Sequence, residues 1–106
     1  MNEFEGLGLN ENLVKAVADL GFTTPTPIQL KAIPILLSGT TDFVGLAQTG
    51  TGKTAAFGLP LLQLIDTSHK YPQALIVCPT RELCMQICND LQEYKKHSKN
   101  TSVEPV

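Results

Sequence analysis

Apolar residues recur at helical spacing in two segments of the N-terminal part of the chain. They are Leu13, Val14, Val17 and Leu20 in the first segment, and Ile28, Ala32, Ile33, Leu36 and Leu37 in the second. Asn10 is a suitable N-cap for the first helix and Gly21 a suitable stop. Thr26 followed by Pro27 is typical of a second helix start, because a hydroxyl caps the helix and proline fits its first position. Pro34 has no backbone N–H, so we expect it to break or kink that second helix.

The remainder of the chain alternates short β-prone runs with helical patterns. Residues 42–46 (Asp-Phe-Val-Gly-Leu) and 74–78 (Ala-Leu-Ile-Val-Cys) are apolar runs of strand length. A helical pattern follows each run, the first beginning near Lys53 and the second capped by Thr80. This order is typical of an α/β fold in which buried parallel strands are flanked by helices. We expect residues 102–106 to open a third strand.

The composition permits many functions and excludes few. The chain has 106 residues, enough for one domain, of which 42% are hydrophobic and 17% charged. Its net charge of −2 argues against a strongly basic arm for nucleic acid. No apolar run reaches the length of a membrane span, and Glu3 and Glu5 stand where a signal peptide carries positive charge. We therefore expect a cytoplasmic protein without a membrane partner.

The cysteines raise the possibility of a metal site. Cys84 and Cys88 lie four residues apart on a predicted helix, and Cys78 ends a predicted strand. A tetrahedral site would need further ligands from His69 or His97, which are distant in the sequence. We therefore expect the three cysteines to pack in the core instead.

The segment at 47–54 (Ala-Gln-Thr-Gly-Thr-Gly-Lys-Thr) has the spacing of a phosphate-binding loop between a strand and a helix. Gly50 and Gly52 lack Cβ atoms and permit positive φ, so that successive backbone N–H groups can surround a phosphate. Lys53 can reach the β and γ oxygens, and the Thr54 hydroxyl can ligand Mg²⁺. The usual pattern opens with glycine where this chain has Ala47, whose small side chain should fit. The candidate nucleotide-binding residues of this loop are Gln48, Thr49, Gly50, Thr51, Gly52, Lys53 and Thr54, of which Lys53 and Thr54 are also the catalytic candidates.

Three segments together resemble the DEAD-box ATP-dependent RNA helicases. Residues 21–29 resemble the Q motif of that family, residues 47–54 its motif I and residues 79–83 its motif Ia. Phe4 lies 17 residues before Gly21, where the family has an isolated aromatic. The resemblance covers essentially the whole chain and is strongest to bacterial members. It implies the N-terminal portion of a first RecA-like domain of the P-loop NTPase fold, with ATP and Mg²⁺ as cofactors and RNA as partner.

The chemistry of Gln29, within the segment that resembles the Q motif, suits adenine recognition. A glutamine amide offers a donor beside an acceptor, which matches the N7 and N6 groups of adenine but not the two acceptors of guanine. Phe4 and Phe22 are candidates for stacking on the base, with core packing as the alternative for each. The resemblance favours Phe4 as the stacking residue, leaves Phe22 open and adds Thr24 to the nucleotide-binding residues.

Motif Ia places Arg81 in the first turn of a helix that follows a predicted strand, at the edge where open parallel sheets bind ligands. The resemblance implies that Pro79, Thr80 and Arg81 contact the RNA sugar-phosphate backbone without reading its sequence. A surface ion pair is the alternative for Arg81. Lys95, Lys96 and Lys99 at the end of the same helix are better explained by the helix dipole than by a nucleic-acid patch.

Other features expected of a hydrolase do not occur in these residues. Neither predicted strand ends in a carboxylate that could hold Mg²⁺, and the Asp-Glu-Ala-Asp motif and the second RecA-like domain are absent. We therefore expect a truncated α/β domain that binds nucleotide without turning it over. Two other interpretations stay open: another P-loop NTPase, such as a DNA-directed superfamily 2 helicase or a small kinase, and a short nucleotide-binding module without catalysis.

Overall fold

The computed structural model describes residues 3–38, 53–65, 68, 73–98 and 101–103. These residues contain a short 3₁₀ helix, Glu3–Leu7, and four α-helices. The α-helices are α1 (Glu11–Asp19), α2 (Pro27–Ser38), α3 (Lys53–Leu64) and α4 (Arg81–Tyr94). None of the helices in this part of the chain is long and apolar enough to cross a membrane.

The predicted ends of α1 are confirmed. The Asn10 side chain accepts a hydrogen bond from the Leu13 N–H at 3.0 Å, as an N-cap does. At the other end, Gly21 adopts a φ of 87°, which only glycine reaches without strain. The N–H groups of Gly21 and Phe22 then donate to the carbonyls of Ala18 and Val17, both at 2.9 Å, and close a Schellman motif. This turn directs the chain from α1 into the 21–26 segment.

The start of α2 at Thr26 and Pro27 is also confirmed, but of the break or kink expected at Pro34, the break does not occur. The helix continues without interruption from Pro27 to Ser38. Pro34 removes the hydrogen bond to the Leu30 carbonyl, and Leu30 is 51% exposed, so water can satisfy that carbonyl. Proline therefore costs less free energy on this solvent-exposed side of α2 than it would in a buried stretch of helix.

The helices predicted after Lys53 and after Thr80 are both confirmed, and they pack closely on each other. Thr80 caps α4 by accepting a hydrogen bond from the Leu83 N–H at 3.2 Å. Gly58 of α3 is buried against α4, where an added Cβ would lie 2.7 Å from Cδ2 of Leu91. A glycine at this position therefore sets the spacing between the two helices.

The buried strand predicted at 74–78 is wrong. Residues 73–78 form no strand, and Leu75 and Val77 are 81% and 85% exposed. A strand needs a hydrogen-bonded neighbour, and no described residue provides one. The segment still alternates, because Ile76 packs against the core while Leu75 and Val77 face away. The first predicted strand, 42–46, lies outside the described residues, as do 104–106 of the third, and 101–103 form no strand.

The core joins every helix and determines which helix ends lie close together. Its buried members are Phe4, Leu9, Leu13, Val14, Val17, Ile33, Ala55, Leu59, Leu91 and Tyr94. Full burial of one leucine or phenylalanine side chain stabilises a fold by about 1.5–3 kcal/mol. This shared core brings the 3₁₀ helix, the start of α2, the start of α3 and the end of α4 around one concave region.

Candidate nucleotide-binding site

A pocket of about 360 Å³ opens in this concave region. Its walls are formed by Phe4, Gly21, Phe22, Thr23, Thr24, Thr26, Gln29, Ala55 and Tyr94. The volume lies toward the lower end of the range of about 300–1,000 Å³ for small-molecule sites. The structure thus brings together the four residues of the Q-motif region that the sequence assigns to nucleotide binding: Phe4, Phe22, Thr24 and Gln29.

A second, larger concavity of about 470 Å³ is lined by residues of α1 and its approach, including Glu5, Glu11 and Lys15. It contains none of the residues that the sequence assigns to a ligand. Its two carboxylates would repel a phosphorylated ligand, whereas the pocket around Gln29 has aromatic rings, an amide and hydroxyls. Size alone therefore does not identify the site.

Gln29 is buried, at 3% exposure, and its side chain closes a capping box with Thr26. The Thr26 N–H donates to Gln29 Oε1 at 2.9 Å, and the Gln29 N–H donates to the Thr26 hydroxyl at 3.4 Å. The amide that is predicted to read adenine is therefore held in position by the start of its own helix.

The two phenylalanines of the pocket differ in exposure. Phe4 is 1% exposed and belongs to the core, while Phe22 is 39% exposed. A hydrogen bond of 3.2 Å from the Glu3 N–H to the Thr23 carbonyl ties the 3₁₀ helix to the turn that carries Phe22. Phe22 therefore presents more ring surface for stacking, and Phe4 supports the pocket from the core.

The start of α3 carries the predicted phosphate and metal residues next to this pocket. Lys53 is exposed and Thr54 half-buried, and the following residue, Ala55, lines the pocket. The Thr54 hydroxyl lies close to the carboxylate of Asp90 on α4. Burial raises the pKa of Asp90, while the nearby Thr54 hydroxyl lowers it by a smaller amount. Hydroxyl and carboxylate oxygens are ligands that suit a hard cation such as Mg²⁺.

The residues predicted to contact RNA lie at the start of α4. Pro79, Thr80 and Arg81 are all exposed, and the Thr80 hydroxyl is engaged in the helix cap. The described ion pairs join Asp19 to Lys96 and His97, at 3.2 and 2.7 Å, and do not include Arg81. Lys96 thus links the end of α4 to the end of α1.

The cysteines do not pack in the core as expected. All three are half-buried and form no disulfide, and the Cys78 thiol lies near that of Cys84. Burial and, to a smaller extent, the neighbouring Cys84 raise the pKa of Cys78. No group of three potential ligands that could hold a metal ion occurs among the histidines, cysteines and acids in the described ranges.

Comparison with known proteins agrees with this arrangement. Residues 26–105 match the DEAD/DEAH box helicase family. The chain belongs to this family. It is 53% identical over 100 residues to the ATP-dependent RNA helicase DeaD of Haemophilus influenzae, an alignment that covers 94% of this chain and 16% of that protein. It is 48% identical over 106 residues to the DEAD-box ATP-dependent RNA helicase CshA of Bacillus cereus, covering 100% of this chain and 20% of CshA. The chain therefore spans about a sixth to a fifth of these curated relatives.

Solved structures of DEAD-box helicases have a similar fold. S. cerevisiae Dbp5 bound to RNA and ADP BeF3 matches with a TM-score of 0.88 at 37% identity, over 93% of this chain and 26% of Dbp5. The RNA helicase Prp28 from Chaetomium thermophilum bound to ADP matches with a TM-score of 0.84 at 42% identity, over 100% of this chain and 27% of Prp28. The arrangement of helices is thus that of DEAD-box helicases, although the described residues contain no sheet.

Two residues of this DEAD-box site were missed by sequence reasoning. Tyr94 and Asp90 lie one turn apart on α4. Tyr94 lines the pocket, and Asp90 lies close to Thr54. Burial, with a smaller effect from the Asp90 charge, raises the pKa of Tyr94 to about 12. A signal for Asp90 was present in the sequence. This acid shares a helix face with Ile87, Leu91 and Tyr94, and helical periodicity predicts that face to be apolar.

The central part of motif I is not covered by the structure. Gln48, Thr49, Gly50, Thr51 and Gly52 lie outside the described residues, and their assignment to phosphate binding stays a prediction.

Proposed function

We propose that this chain is the ATP-binding part of the first RecA-like domain of a DEAD-box ATP-dependent RNA helicase. The observation that carries the proposal is the single pocket that gathers Phe4, Phe22, Thr24 and Gln29 beside the start of α3. In this proposal the complete domain contains the parallel sheet with flanking helices of the RecA-like fold. The proposed location is cytoplasmic.

The adenine base occupies the pocket in this proposal. The Gln29 amide donates to N7 and accepts from the N6 amino group of adenine, a pairing that guanine cannot reproduce. One bidentate contact is worth roughly 1–3 kcal/mol, or about 5- to 150-fold in affinity. Phe22 offers its exposed ring for stacking, Phe4 closes the pocket from the core, and Thr24 lines its edge.

The phosphates extend toward the start of α3. The positive end of the helix dipole, the Lys53 ammonium and the backbone N–H groups of residues 48–52 together suit a triphosphate. The Thr54 hydroxyl is the proposed Mg²⁺ ligand. Mg²⁺ would supply neutralisation of the phosphate charge.

RNA is the proposed partner of the exposed start of α4. Pro79, Thr80 and Arg81 present a cation and helix N–H groups to solvent, which suits a sugar-phosphate backbone and gives no sequence preference. Dbp5, the similar protein of known structure, is bound to RNA. Arg81 is predicted to carry the charge of this contact.

Turnover of ATP needs groups beyond these residues. A carboxylate that holds the metal and groups that orient water and stabilise the transferred phosphoryl group are required. No Asp-Glu-Ala-Asp segment occurs among these 106 residues. We therefore assign binding to this span, and ATP-driven RNA unwinding or remodelling to a protein in which a second RecA-like domain completes the site.

The test is the nucleotide preference of the Gln29→Ala variant, measured by fluorescence titration with labelled ATP and GTP. Wild-type chain should prefer ATP, and the variant should lose about 5- to 150-fold of that preference while its affinity for GTP changes little. Gln86→Ala, which removes an exposed glutamine of α4, is the matched control and should behave as wild type. An equal loss for ATP and GTP would contradict the assignment of Gln29 to adenine.

A further inference from the structure

Gln63, in the last turn of α3, binds the backbone on both sides of Leu9. Its Oε1 accepts a hydrogen bond from the Asn10 N–H at 2.7 Å, and its Nε2 donates to the Gly8 carbonyl at 2.9 Å. These partners lie 53 and 55 residues away along the chain. The two bonds therefore join α3 to the segment that links the 3₁₀ helix to α1.

This pair of bonds needs an amide side chain. The N–H of Asn10 requires an acceptor and the carbonyl of Gly8 requires a donor, and a glutamine amide carries one of each side by side. A carboxylate of the same length could accept from Asn10 but would place its second oxygen against the carbonyl. The chemical identity of residue 63 therefore matters as well as its length.

Gln63 also completes the N-cap of α1 from another helix. In a capping box, the N-cap side chain accepts from the N–H at N3, and a glutamate or glutamine at N3 accepts from the N-cap N–H. Asn10 makes the first bond to Leu13 at 3.0 Å, but the side chain of Leu13 cannot make the second. Oε1 of Gln63 makes that second bond instead. The start of α1 is thus fixed relative to α3.

The 3₁₀ helix is held at both ends. At its start the Glu3 N–H donates to the Thr23 carbonyl at 3.2 Å, and just after its end Gln63 holds residues 8–10. A five-residue 3₁₀ helix has weak hydrogen bonds of its own, so its position depends on such ties. This helix carries Phe4, which forms part of the pocket wall. The position of that wall therefore depends on both ties.

Gln63 itself does not line the pocket. It lies eight residues after Ala55, the α3 residue in the pocket wall, which is about 12 Å along the helix axis. Any effect of Gln63 on a ligand in the pocket must therefore pass through the backbone of residues 8–10 and the 3₁₀ helix.

We propose that Gln63 is a positioning residue for nucleotide binding, because its two bonds hold the 3₁₀ helix, and with it Phe4, against the pocket that receives the base. This inference rests on the proposed function, since it requires the base to enter that pocket. Gln63 acts on every base alike, whereas Gln29 distinguishes adenine from guanine. Loss of Gln63 lowers affinity by reducing the fraction of chains whose pocket is formed.

The experiment measures the affinities of labelled ATP and GTP by fluorescence titration of wild-type chain and Gln63→Met. Methionine keeps the length of the side chain and removes both hydrogen bonds. The affinities for ATP and GTP should both fall about 3- to 30-fold, and the preference for ATP should stay as in wild type. Gln63→Glu should also weaken both nucleotides, because its carboxylate cannot donate to Gly8.

Asn10→Ala is the matched control. It removes the side-chain cap of α1 and so destabilises the same region, but it keeps the backbone N–H that donates to Gln63. Denaturant unfolding should show a loss of stability, while the affinity for ATP should match wild type. An equal loss of affinity in Asn10→Ala and Gln63→Met would overturn the proposal by making general instability the cause.

Hydrogen exchange at the Glu3 amide gives a second readout. This N–H donates to Thr23 at the far end of the 3₁₀ helix from Gln63. It should exchange faster in Gln63→Met than in wild type or Asn10→Ala. Unchanged exchange at Glu3, or unchanged affinity for ATP in Gln63→Met, would overturn the proposal.

The outcome also distinguishes this inference from the proposed function. If wild-type chain binds neither nucleotide, both fail. If wild-type chain prefers ATP and Gln63→Met binds it as tightly, the inference alone fails.

Discussion

At the residue scale, several side chains of the site have a structural contact as well as a proposed functional one. Gln29 caps α2 through Oε1 and lines the pocket, and Thr80 caps α4 within the proposed RNA-binding edge. These bonds fix the side chains before a ligand arrives, which lowers the entropy lost on binding.

Tyr94 makes a prediction about alkaline pH. Its pKa is raised to about 12 in the folded chain, against an ordinary value of 10.0, because the phenol is buried and lies near the Asp90 charge. A raised pKa stabilises the folded state fully below pH 10, and this contribution is lost as the pH rises through about 12. We expect denaturant unfolding to show a fall in stability over that interval.

Tyr94→Phe is the matched control, because it keeps the ring and removes the titrating group. The stability of the variant should fall less steeply above pH 10 than that of wild type. In an absorbance titration of tyrosine ionisation, wild type should show a transition near pH 12 that the variant lacks. Identical pH profiles for wild type and variant would contradict the assignment to Tyr94.

At the scale of the elements, contact between α3 and α4 relates the pocket proposed to bind adenine to the proposed metal ligand. Ala55 and Tyr94 line the pocket, and Thr54 and Asp90 lie close to each other beside it. The spacing of the two helices therefore affects both parts of the site.

Gly58→Ala tests this spacing. Alanine improves helix propensity by up to about 1 kcal/mol. Its Cβ would, however, lie 2.7 Å from Cδ2 of Leu91, and Leu91 is 4% exposed, with little space in which to move. Overpacking costs typically about 1–3 kcal/mol, so we expect a net loss of stability in chemical denaturation.

The background variant Leu91→Val removes the clashing Cδ2 and provides the control for Gly58→Ala. In that background Gly58→Ala should become neutral or stabilising, as helix propensity alone predicts. A destabilisation of equal size in both backgrounds would show that contact with Leu91 is not the cause.

Signals that act within a few residues were sufficient to predict the helices. Asn10, Gly21, Thr26 and Thr80 form their caps and stops with neighbours one turn away. The strand at 74–78 depends on a partner from elsewhere in the chain, and its β-prone composition could not supply one. Local pattern therefore predicted helix ends correctly and a strand incorrectly.

At the scale of the whole molecule, the motif residues from the 3₁₀ helix, the 21–26 turn and α2 meet at one pocket. Asp90 and Tyr94 were not predicted, because their roles arise from contacts across helices more than thirty residues apart in sequence. The exposed Leu75 and Val77 lie on the segment predicted to pair in the sheet. Contacts between residues far apart in the sequence, whether between helices or between strands, cannot be predicted from periodicity.

The most direct test of the account is the location of the nucleotide on the chain. A titration of isotope-labelled chain with Mg²⁺ and ADP, followed by backbone amide resonances, reports that location residue by residue. The account predicts saturable shifts that are largest at Phe22, Thr24, Gln29 and Ala55, around the 360 Å³ pocket. Largest shifts instead at the other concavity, where Glu11, Lys15 and Ala18 lie, or no saturable shifts at all, would contradict it.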